Sequence, residues 1–269
     1  MKTVLFVALV AFTLTFLPAC TPPRADHIPG EFLPVLAYHS VMPPNYFYPN
    51  HVDNPWVIPV EMFREQMQYL YDNGFNTLTA QQVIDFMYYD GVLPPNPVLL
   101  TFDDGYLDNA LYAAPILREF GFTAILFVLT GSLSDAPPVM SPRLPYLSVY
   151  EMAATADVFE FASHSHNLHH MVGNLGALEV ATTEEVRADL RASFAYPLTL
   201  RTAFAYPFGR HGPAALEALE AEGVRIAFTT EWGYAYRSNP PLLLPRFSVV
   251  DDAFWRETTF FSRIVRGDR

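Results

Sequence analysis

The chain has 269 residues, 51% of them hydrophobic and 15% aromatic, which fills one large α/β domain and excludes extensive disorder. Its formal charge of −12 disfavours an electrostatic grip on nucleic acid or an anionic membrane. Its 24 prolines often fall in pairs (Pro22-Pro23, Pro94-Pro95, Pro240-Pro241), as loops around a scaffold would place them.

Lys2 followed by the uncharged run Val4–Leu17 has the form of an export signal, shorter than the ~20 residues of a usual membrane span. Leu17-Pro18-Ala19-Cys20 puts a small residue before the only cysteine and resembles a bacterial lipoprotein signal. The resemblance implies removal of residues 1–19, lipidation of Cys20, and a cell-envelope protein that meets the membrane only through that anchor. Its place is then the outer face of the cytoplasmic membrane or the periplasmic side. A plain secretory peptide with an incidental cysteine is the alternative. Residues 20–32 read as a tether and residues 33–269 as one domain, since no linker or repeat divides them.

Leu33–His39 is a short apolar run. Pro59 opens a helix whose inward stripe is Met62, Phe63, Gln66, Met67 and Leu70, and Asn73-Gly74 stops it. Thr79 and Gln82 form a capping box for a helix to about Tyr89. Val98–Phe102 reads as a buried strand running into Asp103-Asp104-Gly105, and a helix over Leu107–Phe120 closes at Gly121. Strands follow at Phe122–Thr130 and Val158–Ala162, a helix at Thr183–Phe194 and a strand at Thr202–Tyr206. A helix over Pro213–Glu222 and strands over Val224–Thr230 and Leu242–Val250 complete the pattern. Continuous apolar strands alternating with helices predict a parallel sheet covered on both faces. The count, nearer seven βα units than eight, predicts a distorted or incomplete (β/α) barrel. Polar residues collect just after strand ends, at His39, Asp103-Asp104, His164 and Phe208-Gly209, where such a barrel keeps its chemistry.

Two adjacent carboxylates after a buried strand are costly unless a positive group sits beside them. A dication resolves this, with one carboxylate as ligand and its neighbour free as a base. An isolated Asp-Asp-Gly is more simply a turn or helix cap. Here Ser163-His164-Ser165-His166-Asn167-Leu168-His169-His170 adds four of the chain's eight histidines at another strand end. Two imidazoles and a carboxylate suit catalytic zinc, and also the facial triad of non-haem iron enzymes.

Thr101-Phe102-Asp103-Asp104-Gly105-Tyr106 resembles the first motif of the polysaccharide deacetylases, the NodB-like carbohydrate esterases. The resemblance spans roughly residues 33–250 and implies a NodB-like fold, Asp103 as catalytic base and Asp104 as metal ligand. It assigns the other ligands to His164 and His169, with His166 and His170 as competitors. The five-residue His164–His169 spacing and the Tyr38-His39 pair are similar to the branch acting on poly-β-1,6-N-acetylglucosamine, which implies His39 as general acid. His211 is a weaker rival. Ala205-Tyr206-Pro207-Phe208-Gly209 resembles the third motif and gives Phe208 the oxyanion side of the groove. The arginine that often precedes this motif is absent, and Arg246 in Leu-Pro-Arg-Phe is a candidate replacement to orient the base. Among the loop aromatics, Tyr106 and Trp232 are candidates to stack on sugar.

These assignments imply a Zn²⁺-dependent hydrolase, or one using another divalent transition metal, that removes N-acetyl groups from an extracellular polysaccharide. The alternatives are a deacetylase of peptidoglycan or chitin-type oligosaccharides, and a lipid-anchored carbohydrate-binding protein without activity.

Overall fold

The run Val98–Phe102 offers almost no polar face to water, and the molecule is built around it. The computed structural model describes residues 32–44, 51, 53–138 and 144–267. The strands used below are β1 (Val35–Tyr38), β2 (Ser40–Met42), β3 (Val57–Pro59), β4 (Asn76–Thr77) and β5 (Pro97–Phe102). They continue as β6 (Ala124–Val128), β7 (Phe159–Ser163), β8 (Thr199–Ala205), β9 (Ile226–Phe228) and β10 (Phe247–Ser248). The main sheet has the order β9-β8-β7-β6-β5-β1-β10, with β4 added on β5, and its pairs are parallel. Seven parallel strands thus form the curled, incomplete barrel that the sequence predicts. β2 and β3 form a small parallel sheet of their own.

The helices used below are α1 (Val60–Asp72), α2 (Ala80–Tyr88), α3 (Ala114–Phe120), α4 (Val149–Thr155), α5 (Thr183–Phe194), α6 (Pro213–Ala221) and α7 (Thr258–Arg266). The strand residues alternate between two cores, as a pleat requires. Leu36, Leu100, Phe102 and Leu126 pack with Phe63 and Met67 of α1 and Leu117 of α3. Val35, Leu99, Ile125, Phe127 and Phe228 turn to the other face with Val83, Ile84 and Phe86 of α2. The stripe of α1 is buried as its spacing predicts. Thr79 closes its capping box with Gln82.

Three segments depart from the sequence expectation. The helix placed over Leu107–Phe120 starts at Leu107-Asp108, widens into a π-helical turn over Asn109–Ala113, and is α-helical again from Ala114. Pro115 follows at once and has no N–H to give the carbonyls of that turn. The strand placed over Leu242–Val250 is broken at Pro245. Leu244 bridges to Phe228 of β9, whereas Phe247–Ser248 pairs with β1. Phe32, assigned to the tether, already pairs with Tyr236. The expected export signal, Cys20 and the rest of the expected tether lie outside the described residues. No helix among the described residues is long and apolar enough to cross a membrane.

Candidate active site

Register brings the chemistry together. Tyr38 of β1 stands beside Phe102 of β5, Val128 of β6 beside Ser163 of β7, and Ser163 beside Phe204 of β8. The residues that follow these strand ends are therefore neighbours in space. His39, Asp103, Asp104, Tyr106, His164, His169 and Phe208 all line one cleft of about 510 Å³.

Asp103 is buried and faces Arg246, which is 0% exposed. The guanidinium donates two parallel bonds, Nη1 to Oδ1 at 2.8 Å and Nη2 to Oδ2 at 2.7 Å. It also donates to Thr229 O and Thr101 Oγ1, so the fork is fixed. Burial alone would raise the Asp103 carboxyl. Arg246 outweighs it, with smaller help from His164 and His39, and holds the group far below the usual carboxylate range. Asp103 is therefore ionised at any working pH. Arg246 stands at the break in the last strand, where the chain turns its side chain inward.

Asp104, His164 and His169 each bring one ligand atom within 4.8 Å of the others, and this is the only such group among the described residues. His164 Nε2 lies 3.6 Å and His169 Nε2 3.4 Å from Asp104 Oδ1. The other ring nitrogen of His164, Nδ1, lies 2.8 Å from Ala205 O, so Nδ1–H donates there and Nε2 keeps its lone pair. Burial lowers the His164 pKa against the pull of Asp103 and Asp104, which favours this neutral form. Lone pairs aimed at one point from a carboxylate and two imidazoles suit a divalent transition metal.

The competing histidines are engaged elsewhere. His166 Nδ1 meets Thr130 Oγ1 at 3.0 Å, His170 Nδ1 lies 3.2 Å from Asn167 O, and the His211 ring packs on Tyr206. The loop is tied to α5 by Asp189, whose carboxylate accepts from His166 N–H at 2.7 Å and Asn167 N–H at 2.6 Å. Gly131 passes so close to His166 O and Asn167 Oδ1 that any Cβ there would displace the loop.

Three non-glycine residues with positive φ sit in the cleft loops, Asp104 (72°), Ser165 (77°) and Phe208 (59°). Backbone held in this region signals a position fixed by its surroundings. The Phe208 ring lies 4.5 Å from that of His169 and is 42% exposed. Tyr106 stacks on Tyr146 at 5.4 Å, and burial followed by the Asp104 charge pushes its phenol up, so it stays a hydrogen-bond donor.

His39 lies at the cleft wall with its ring 4.6 Å from that of Trp56. Burial lowers its pKa, opposed by Asp103 and Asp104. Trp232, chosen from the sequence as a sugar platform, instead packs edge-on against Phe247 and does not line this cleft. Besides Tyr106 and Phe208, the cleft is lined by the aromatic Trp56, together with Asn54 and Arg210. Nothing in the spacing of Trp56 sets it apart from the other loop aromatics. Its place follows from the β2–β3 pairing, which is too short to read in sequence.

A family model described as polysaccharide deacetylase matches residues 90–227. A Bacillus subtilis protein named as a polysaccharide deacetylase, YxkH, is 30% identical over 81% of this chain and 71% of its own length. A Staphylococcus aureus poly-β-1,6-N-acetyl-D-glucosamine N-deacetylase is 26% identical over 93% of both chains. Among solved structures, the Streptococcus pyogenes deacetylase PplD in complex with acetate superposes with a TM-score of 0.70 at 25% identity, covering 84% of this chain and 95% of its own. IcaB from Ammonifex degensii shares the fold, with a TM-score of 0.68 at 22% identity over 88% and 97% of the two chains.

Proposed function

We propose, from the premise that this chain belongs to the polysaccharide deacetylase family, that it removes N-acetyl groups from the N-acetylglucosamine units of an exported poly-β-1,6-N-acetylglucosamine. Membership makes it a hydrolase of a linear amide bond. The linkage rests on the Staphylococcus aureus relative and on the Tyr38-His39 pair with the five-residue histidine spacing. The metal is Zn²⁺, held by Asp104, His164 and His169. The mature domain is residues 33–269 on a tether, anchored in the cell envelope through Cys20.

One observation carries the chemistry: an ionised carboxylate, a three-ligand cluster and an unliganded imidazole share a single cleft. Asp104, His164 and His169 would hold a divalent cation, which would supply Lewis-acid polarisation of the acetyl carbonyl and acidify water. Asp103 takes a proton from the attacking water. Its two oxygens are each bonded once by Arg246, which leaves a lone pair free for that proton. His39 gives a proton to the leaving nitrogen as the C–N bond breaks, and acetate and a free amine depart. Phe208 borders the acetyl end of the cleft, where its backbone N–H serves the developing oxyanion.

The test is acetate release from defined β-1,6 and β-1,4 N-acetylglucosamine oligomers, with and without chelator. The reading expects turnover on the β-1,6 oligomers, abolished by chelator and restored by Zn²⁺. Preference for β-1,4 oligomers would move the substrate to chitin or peptidoglycan. Binding of glycan without acetate release would make the protein a carbohydrate binder.

A further inference from the structure

His39 sits at the junction of the barrel strand β1 and the small sheet, and Trp56 reaches the cleft from the small sheet. His39 immediately precedes β2, and Trp56 immediately precedes β3. The buried Nδ1 of His39 has no hydrogen-bond partner. No side-chain bond to that atom sets the angle of its ring, so the ring depends on its backbone and on its tilted contact with Trp56.

That backbone is clasped by a residue the reaction does not use. Asp108 is 0% exposed and lies four positions beyond Asp104, at the start of the π-helical turn. Its Oδ2 accepts from Ser40 Oγ at 2.6 Å, and its Oδ1 accepts from Val41 N–H at 3.2 Å. Both partners directly follow His39. The clasp thus joins the strand behind the imidazole to the segment that carries Asp103 and Asp104.

We propose that Asp108 is a positioning residue, acting through Ser40 and Val41 to aim His39 at the leaving nitrogen. The inference rests on His39 as general acid in the reading above. Proton delivery tolerates little misplacement, since shifts of about 1 Å cost up to ~100-fold. An amide nitrogen must be protonated to leave, whereas an aryl acetate expels aryloxide without a proton. Loss of His39 function is therefore selective for the amide.

The experiment compares kcat on a β-1,6 oligomer and on 4-nitrophenyl acetate for the wild type, H39A, D108A, D108N and S40A, each with its zinc content measured. H39A should lose about 100-fold or more on the amide and stay within about twofold on the ester. D108A should lose about 10-fold or more on the amide alone. S40A, which removes one of the two bonds, should show a smaller loss with the same selectivity. D108N should keep both activities, because its carboxamide oxygen accepts from Val41 N–H and its NH₂ donates to Ser40 Oγ. Equal losses on both substrates in D108A, or no loss, would reduce Asp108 to a structural role and overturn the proposal. Should D108A fail to fold, S40A decides by the same criterion. An H39A variant without amide selectivity would instead refute the acid assignment on which the inference stands.

Discussion

Arg246 meets Asp103 across 143 positions of sequence, and both side chains are nearly inaccessible to water. Breaking such a pair from one side strands a buried charge and costs about 3–5 kcal/mol. R246M should lose that much stability in urea unfolding. It should also move the acidic limb of the activity profile to higher pH, because burial then raises the Asp103 carboxyl against only the smaller pulls of His164 and His39. An unmoved limb would mean that Arg246 is not what keeps the base ionised. D103N, which cannot accept the proton, should cut kcat about 10²–10⁴-fold while the content of bound metal stays unchanged. Near-normal turnover in D103N would remove Asp103 as base. The motif identified Asp103 and Asp104 from sequence. Arg246 was reachable only as a lone arginine in the last predicted strand, because its partner is set by barrel curvature and not by spacing.

At the level of elements, local chemistry was legible and long-range pairing was not. The Thr79–Gln82 box, the α1 stripe and the bounds of α5 are properties of residues a turn or two apart, and the structure has all three. The kink at Pro245 and the β2–β3 pair depend on contacts far away in sequence. α4 was missed, although Ser148 and Glu151 give it a capping box of the same kind as that of α2. The histidine loop belongs to both classes: its cluster is visible in sequence, and its anchor, Asp189 on the interior face of α5, is not. Asp189 touches no predicted ligand, yet it fixes the two peptides midway between His164 and His169. D189A should therefore weaken binding of added Zn²⁺ or another divalent transition metal about 10–100-fold, measured by chelator competition, while far-UV circular dichroism stays unchanged. An unchanged affinity would show that Thr130 and the tight passage at Gly131 hold the loop by themselves.

For the whole molecule, parallel strands with polar residues at their C-terminal ends were enough to predict both the architecture and the end of it that carries the site. The balance of charge within that end was not readable, and Asp108 shows why. Burial pushes its carboxyl up to about 7, and the nearby Asp104 adds to this, while the bonds from Ser40 and Val41 pull the other way. In the unfolded chain the same group titrates near ~3.9. Between these values the native state holds a proton that the unfolded chain releases. The stabilisation is thus fully present below about pH 4 and is lost as pH rises through about 7. Two units of that window, at ~1.4 kcal/mol each, amount to a loss on the order of 3 kcal/mol between about pH 5 and pH 8. D108N carries no titrating group at this position. In metal-free protein, where no cation offsets Asp104, the stability of the wild type relative to D108N should fall by roughly that amount over the same range. Histidines that titrate in this window are common to both proteins and cancel in the difference. Urea unfolding at the two pH values with chelator present measures it, and a gap that does not change with pH would show that Asp108 is already ionised in the folded protein at about pH 5.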